Sequence, residues 1–472
     1  MGAALCAFFP TYFSAASAEA EPLRAGFTEV DITPEMKPDG RPVWMAGYGQ
    51  GRRAAGVHDR LFARAAVLEC EKKKLALVAV DLVGLQHPAV LRIREKLADF
   101  AYVLVASTHN HEGPDVIGIW GPHPLSSGVD AAYVDSVVAH VVEAVRAAEK
   151  QLIPVKASFG TAEEAALLSD GRLPVVLDPV LRAIKFTHAE TGKPAGLITV
   201  FSCHPESLGR ENKQLTADFP AATVAALKER YKCPVVYFSG AVGGLMSNPH
   251  EWKQGDKVFK EGTWDFADAY GRAVADVLGK AIESAAPISL LPLTVSTKPI
   301  TVPLENKLYA VARSLGVLKR GGRQWQGDFE KLGPPDDLSA KDAQPAVETE
   351  VAVLRLGELH LAAIPGEIYP ELVYGKFEEP AQAAADFPTA PLEPTVAKIF
   401  AGKKWLLVGL ANDEIGYIIP KRQWDRLPPY AYGRKEAQYG EINSCGPDVA
   451  PIILEALSRR AKDLGENPNP KR

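Results

Sequence analysis

Sulfur is scarce in this chain: five cysteines and four methionines among 472 residues. Cys70, Cys203, Cys233 and Cys445 stand singly and no C-x-x-C pair occurs, which argues against a zinc ribbon or a disulfide-dense scaffold and points to free, buried thiols. Clusters of Lys and Arg interleaved with aromatics are missing too, and the formal net charge is −5, so nothing favours nucleic acid as a partner. No internal apolar run approaches the length needed to span a bilayer. A Gly-rich loop followed by Lys-Ser/Thr and an Asp-rich hard-metal pattern are both absent, which ranks a site for phosphate or sugar substrates last.

What remains is the composition of an ordinary globular protein, 47% hydrophobic and 24% charged with 39 glycines. Its length exceeds the usual limit of one core, so one elaborate domain or two are both possible. The N-terminus, apolar and small from Ala3 to Ala18 and ending in A-x-A-like sites, is expected to be part of an export signal over residues 1–20, without its basic n-region. The mature protein is then secreted or periplasmic and starts near Glu19 or Glu21. Cys6 leaves with the signal or serves as a lipoprotein anchor.

Strands are predicted at 25–32, 61–69 and 75–82, the last two joined by the charged turn Glu71 to Lys74. A helix is expected from about Ala89 to Phe100. Val134, Val137, Val138, Val141, Val142 and Val145 recur at helical spacing, predicting an amphipathic helix from Ala131 to Lys150. Apolar runs flanking Glu190 to Pro194, and others flanking Gly357-Glu358, read as hairpins. Helices are also expected at 219–231, 266–285 and 452–464, with strands at 234–238, 291–302 and 405–409. Residues 321–344 are Gly/Pro/Asp-rich and read as a loop, and the Pro/Lys tail at 466–472 as disordered. Several hairpins among mixed strands and helices imply mixed rather than purely parallel sheets.

The most informative stretch is Ser107 to Asp115. It follows the buried-strand run Tyr102 to Ala106 and places two imidazoles two residues apart. Alternation along a strand puts His109 and His111 on one side and Asn110 on the other, until Gly113-Pro114 stops the strand. Same-face histidines at a strand's C-terminal edge suit metal ligands or catalytic bases; a structural H-x-H in a turn is the alternative. Three more strand ends finish in metal-binding groups: Phe201 to Cys203 runs into His204, Ala362 to Ile364 into Glu367, and Leu407 to Leu410 into the segment ending at Tyr417. Imidazoles with one carboxylate form the usual catalytic zinc set. Each residue alone would be unremarkable as a structural group; four strand ends together are not.

At these residues the chain resembles the neutral/alkaline non-lysosomal ceramidases. The likeness begins at Ala25 to Pro34 and takes in Met45 to Gly49, Gly56 to Ala65 and Val80 to Leu82. The S-T-H-N-H-E-G-P stretch at Ser107 to Pro114 is similar to that family's T-H-x-H-S-G-P. Together the motifs cover most of Ala25 to about Gly446. The resemblance implies an α/β fold of mixed sheets flanked by helices, layered α-β-β-α, with a zinc pocket at strand ends in a single catalytic domain over 21–465. Larger ceramidases carry a C-terminal immunoglobulin-like domain as well, and none is expected here, so that the catalytic part stands alone. The resemblance further implies zinc ligands at His109, His204, Glu367 and Tyr417, and contacts to the substrate carbonyl or oxyanion from His111 and Arg172. The implied activity is zinc-dependent hydrolysis of an acyl amide, N-acylsphingosine or a related lipid, by metal-activated water. Peripheral contact with membranes is consistent with such a substrate.

Two departures bear on this reading. In the loop Gly240 to Pro249, Gly244 replaces the family's acidic residue, and Ser247 aligns with the family's serine only if one residue is inserted. Glu112 replaces the serine after the second histidine, adding a carboxylate that is either solvated or turned inward as a base. The substrate is therefore more open than the reaction. An esterase or amidase on a non-ceramide substrate, or a non-catalytic exported binding protein of the same fold, are the alternatives.

Overall fold

The computed structural model describes residues 21–36, 40–336 and 344–465. The expected export signal and C-terminal tail lie outside them. Among the described residues no helix is long and apolar enough to cross a membrane.

Two sheets form the centre. The larger has nine strands; its main path runs Val235–Ser239, Pro194–Phe201, Val180–His188, Ile153–Glu163, Arg24–Asp31, Phe62–Cys70, Lys73–Val80, Tyr102–Ser107. The smaller, of five, runs Leu293–Pro303, Pro345–Leu356, Leu359–Ala363, Lys404–Val408, with Arg323–Gln324 added at its side within the expected loop. Most pairings are antiparallel. Three are parallel: Lys73–Val80 with Tyr102–Ser107, Pro194–Phe201 with Val235–Ser239, and Leu359–Ala363 with Lys404–Val408. The sheets are mixed, as the hairpin signals implied.

Alternation along the strands assigns their faces. Leu75, Leu77 and Ala79 join Leu354, Leu361 and Val408 in the core between the sheets, whereas Ala76, Val78 and Val80 pack outward on helix Ala131–Lys150. Burial on both faces explains why these strands read as continuous hydrophobic runs. The valine-rich helix overcomes its modest intrinsic propensity by seating Val137, Val138, Val141 and Val145 on the sheet, and the Asp130 carboxylate caps its first turn by accepting from Ala132 N at 3.0 Å. Helices Phe219–Tyr231 and Trp264–Glu283 cover the other half of the larger sheet. Val449–Asp463 covers the outer face of the smaller one through Ile452, Ile453 and Leu457. The result is the layered α-β-β-α arrangement. Cys203, Cys233 and Cys445 are buried free thiols; Cys70 is half-buried, a correction to the expectation that all four are buried.

Candidate metal centre

Each metal-ligating candidate follows the C-terminal end of a strand in a parallel pair. His109 follows Tyr102–Ser107 and His204 follows Pro194–Phe201, both in the larger sheet; Glu367 follows Leu359–Ala363 and Tyr417 follows Lys404–Val408, both in the smaller. Open α/β sheets present their ligand sites at such ends.

Three of the four meet directly. Glu367 Oε2 lies 3.0 Å from His204 Nε2 and 3.2 Å from His109 Nε2. Tyr417 sits opposite Glu367 in a two-residue parallel ladder and lines the same cavity. His109 Nδ1 is 2.7 Å from the Val83 carbonyl and His204 Nδ1 is 2.9 Å from that of Met246. A carbonyl only accepts, so both Nδ1 atoms carry the proton and both Nε2 atoms face the centre. Histidines that hold metals are commonly fixed in this way.

His111 completes a group of three buried imidazoles whose ring nitrogens lie within 4.8 Å of one another. Its Nε2 is 3.3 Å from His109 Nε2, while its Nδ1 is buried without a hydrogen-bond partner, 3.5 Å from Glu206 Oε2. The tautomers of the two rings set which Nε2 donates in this contact. His109 and His111 thus meet while Asn110 turns away to Asp81 O and Thr216 O. The cause differs from the one expected: the strand ends at Ser107, and His109 takes a left-handed backbone conformation, φ 64°. Gly47, φ 98°, gives His111 its room, since a Cβ there would lie 2.4 Å from the His111 Cβ.

Charge is concentrated here. Burial opposes the charged form of His204, yet its hydrogen bond to Glu367 and the carboxylates of Glu206 and Glu367 push the imidazole up to about 9. Burial works against the Glu367 carboxylate as well, but His109 and His204 hold it well below the usual range. His111 is held well below its ordinary value by burial and by the neighbouring imidazoles. Burial, with Glu367 beside it, pushes the Tyr417 phenol far up.

The surrounding cavity has a volume of about 940 Å³. Ile117, Trp120, Leu304, Leu318 and Val347 supply apolar wall, and Ser247 lies in the same lining. The Met246–Ser247 pair bridges Ser169–Asp170, and the Ser247 hydroxyl donates to Glu206.

Arg172 is the expected residue that the structure does not bring to the cavity. Its guanidinium is 2% exposed, bound in bidentate fashion to Glu441 (2.6 and 2.9 Å) and donating to the carbonyls of Tyr439 and Gln423. Arg172 is not among the residues that line the cavity, and of its donors only Nε is without a partner. Glu112 is fully buried, 3.3 Å from Arg52 and accepting from Asn212 Nδ2 at 2.8 Å, and is not part of the cavity lining. Arg52 in turn donates to the carbonyls of Ala46 and His111, so Glu112 acts through a clamp on the histidine loop rather than on the centre itself. Glu206 and Glu414, both in the lining, were not singled out by the sequence. Glu206 lies two residues after His204, and that proximity was the available signal.

Residues 24–239 match the family model described as neutral/alkaline non-lysosomal ceramidase, N-terminal. Among solved structures, a neutral ceramidase from Pseudomonas aeruginosa is similar with a TM-score of 0.70 at 18% identity, over 94% of this chain and 75% of that one. A ceramidase complexed with C2 gives 0.68 at 17% identity, again over 94% and 75%. At these identities the likeness establishes a common fold.

Proposed function

We propose that this protein is a zinc-dependent hydrolase of an acyl amide, with N-acylsphingosine or a related lipid amide as substrate. The observation that carries the reading is the meeting of His109 Nε2, His204 Nε2 and Glu367 Oε2 inside a large, partly apolar cavity. Two imidazole Nε2 atoms turned towards one carboxylate oxygen form a donor set that fits a borderline cation such as zinc once their Nε2 protons are given up. His109, His204 and Glu367 would hold the ion, with Tyr417 as a fourth group. When bound, the ion supplies a Lewis acid for the amide carbonyl and lowers the pKa of water towards neutrality.

The chain's own residues do the rest. With the His109 lone pair engaged by a cation, His111 in its Nε2-protonated tautomer would donate a hydrogen bond to the developing oxyanion, an interaction of several kcal/mol when preorganised. Glu206 accepts from Ser247 Oγ and so orients that hydroxyl beside His111. The apolar wall receives an acyl chain and excludes water from the reacting carbonyl.

The Ser247–Glu206 hydrogen bond favours a second reading, in which Ser247 Oγ attacks the amide carbonyl, Glu206 takes its proton and passes it to the amine that departs as the C–N bond breaks, and water then hydrolyses the acyl-serine ester. We further infer export, as the N-terminal sequence suggests; N-terminal sequencing from the native host that finds Met1 on cytoplasmic protein would overturn it. The principal test is metal analysis of purified protein combined with a panel of fluorescent N-acyl and O-acyl substrates. Zinc near one equivalent with hydrolysis of N-acyl lipids is expected. Hydrolysis confined to esters would move the substrate class, and bound zinc with no turnover on any substrate would leave a binding protein of this fold.

A further inference from the structure

Helix Lys307–Ser314 is unusual in having no buried residue. Its Leu308 and Val311, with Leu315 just beyond its end, follow one another at intervals of three and four residues, so they share one stripe. They are 53%, 52% and 53% exposed. The opposite side of the helix belongs to the cavity: Tyr309 and Arg313 line it. Tyr309 and Ala312 also pack with Ile117, Ile119, Trp120 and Leu318 in one apolar cluster. The helix is therefore a rim of the cavity with an aliphatic stripe turned to solvent. Asn306, its N-cap, donates to the carbonyl of Ile442 at 2.8 Å, and the Ile442 side chain is likewise about half exposed.

Charge in this segment has one sign. Residues 306–327 contain Lys307, Arg313, Lys319, Arg320 and Arg323 and no acidic residue. The three arginines are neutralised inward by Asp336, Asp413 and Glu348. Lys307 and Lys319 have no ion-pair partner among the described residues, although the chain as a whole is acidic. An exposed aliphatic stripe flanked by free lysines is the pattern of a helix that lies in a lipid interface, its apolar side chains among the acyl chains and its cations at the phosphates.

We propose that helix Lys307–Ser314 docks the cavity mouth onto an anionic lipid surface, so that an acyl amide can pass from the bilayer into the cavity. The choice of a lipid partner rests on the lipid-amide reading of that cavity. The test is co-sedimentation of the full chain with vesicles of equal parts phosphatidylcholine and phosphatidylglycerol, at low salt. Wild type is expected in the pellet. Leu308→Ser, Val311→Ser and Leu315→Ser combined should weaken partitioning about a hundredfold. Lys307→Gln with Lys319→Gln should weaken it about thirtyfold, an effect that vanishes at high salt. Unchanged melting temperatures would show that these surface variants remain folded. His109→Ala should bind vesicles as wild type does, so docking and hydrolysis fail separately. Wild type left in the supernatant, a serine variant that sediments like wild type, or a stripe consumed in a dimer that vesicles do not disperse would each overturn the proposal.

Discussion

Glu367 and His204, 163 residues apart in sequence, share a 3.0 Å contact between Oε2 and Nε2 in the seam between two sheets. Removing either histidine that faces Glu367 should empty the centre. His109→Ala and His204→Ala are expected to lose most bound zinc and all turnover. His111→Ala should keep zinc and lose about 100-fold in turnover, because its role is at the oxyanion. Equal loss of zinc in all three, by metal analysis, would make His111 a ligand.

Ser247 is expected to assist rather than attack. Loss of one hydrogen bond near the reacting carbonyl is worth roughly 10–100-fold in rate. Ser247→Ala should therefore be slowed within that range while His109→Ala is inactive. An acyl group trapped covalently on Ser247, seen by mass spectrometry, would instead establish the serine route.

Arg172 and Glu441 are each 2% exposed and paired with one another. Glu441→Gln leaves the guanidinium uncompensated and should cost about 3–5 kcal/mol in denaturant melts. Turnover of the protein that remains folded should change little. Arg172→Met with wild-type stability and no activity would return Arg172 to the reaction.

Stability of metal-free protein should depend on pH through His204. Its folded value of about 9 lies above the ordinary 6.5. The contribution is therefore fully present below about 6.5 and is lost as pH rises to about 9. Thermal melts of chelator-treated protein should fall across that window. Zinc affinity should rise over the same window, because binding displaces that proton. Melts that are flat between these pH values would place the proton elsewhere.

Gly47→Ala adds a methyl where the His111 Cβ is 2.4 Å away, at a backbone φ of 98°. Strain of about 1–3 kcal/mol is expected, with turnover lost more steeply than stability because His111 is displaced. Parallel kinetics and melting curves check this.

Much of the frame was legible because burial imposes period. The valine spacing gave the helix Ala131–Lys150 its limits, and strands buried on both faces stood out as short apolar runs. His109, His204 and Glu367 were legible as strand ends closed by polar or Pro-Gly stops. Other features leave no such trace. Helix Lys307–Ser314 buries no residue and was not predicted. The partner that withdraws Arg172 from the cavity lies 269 residues away. Single carboxylates such as Glu206 and Glu414 carry no period at all. The pairing of His109 with His111 was expected from strand alternation but arises from a left-handed turn.

Because His109 and His204 hang from the larger sheet and Glu367 and Tyr417 from the smaller, a cation held among them would rivet the two halves of the sandwich across their shared edge. Its occupancy would then be a mechanical property as well as a chemical one: a chelated protein could part along this seam before either sheet melts. Calorimetry would register that as one sharp transition splitting in two, with the loaded state favoured by RT ln(1 + [Zn]/Kd).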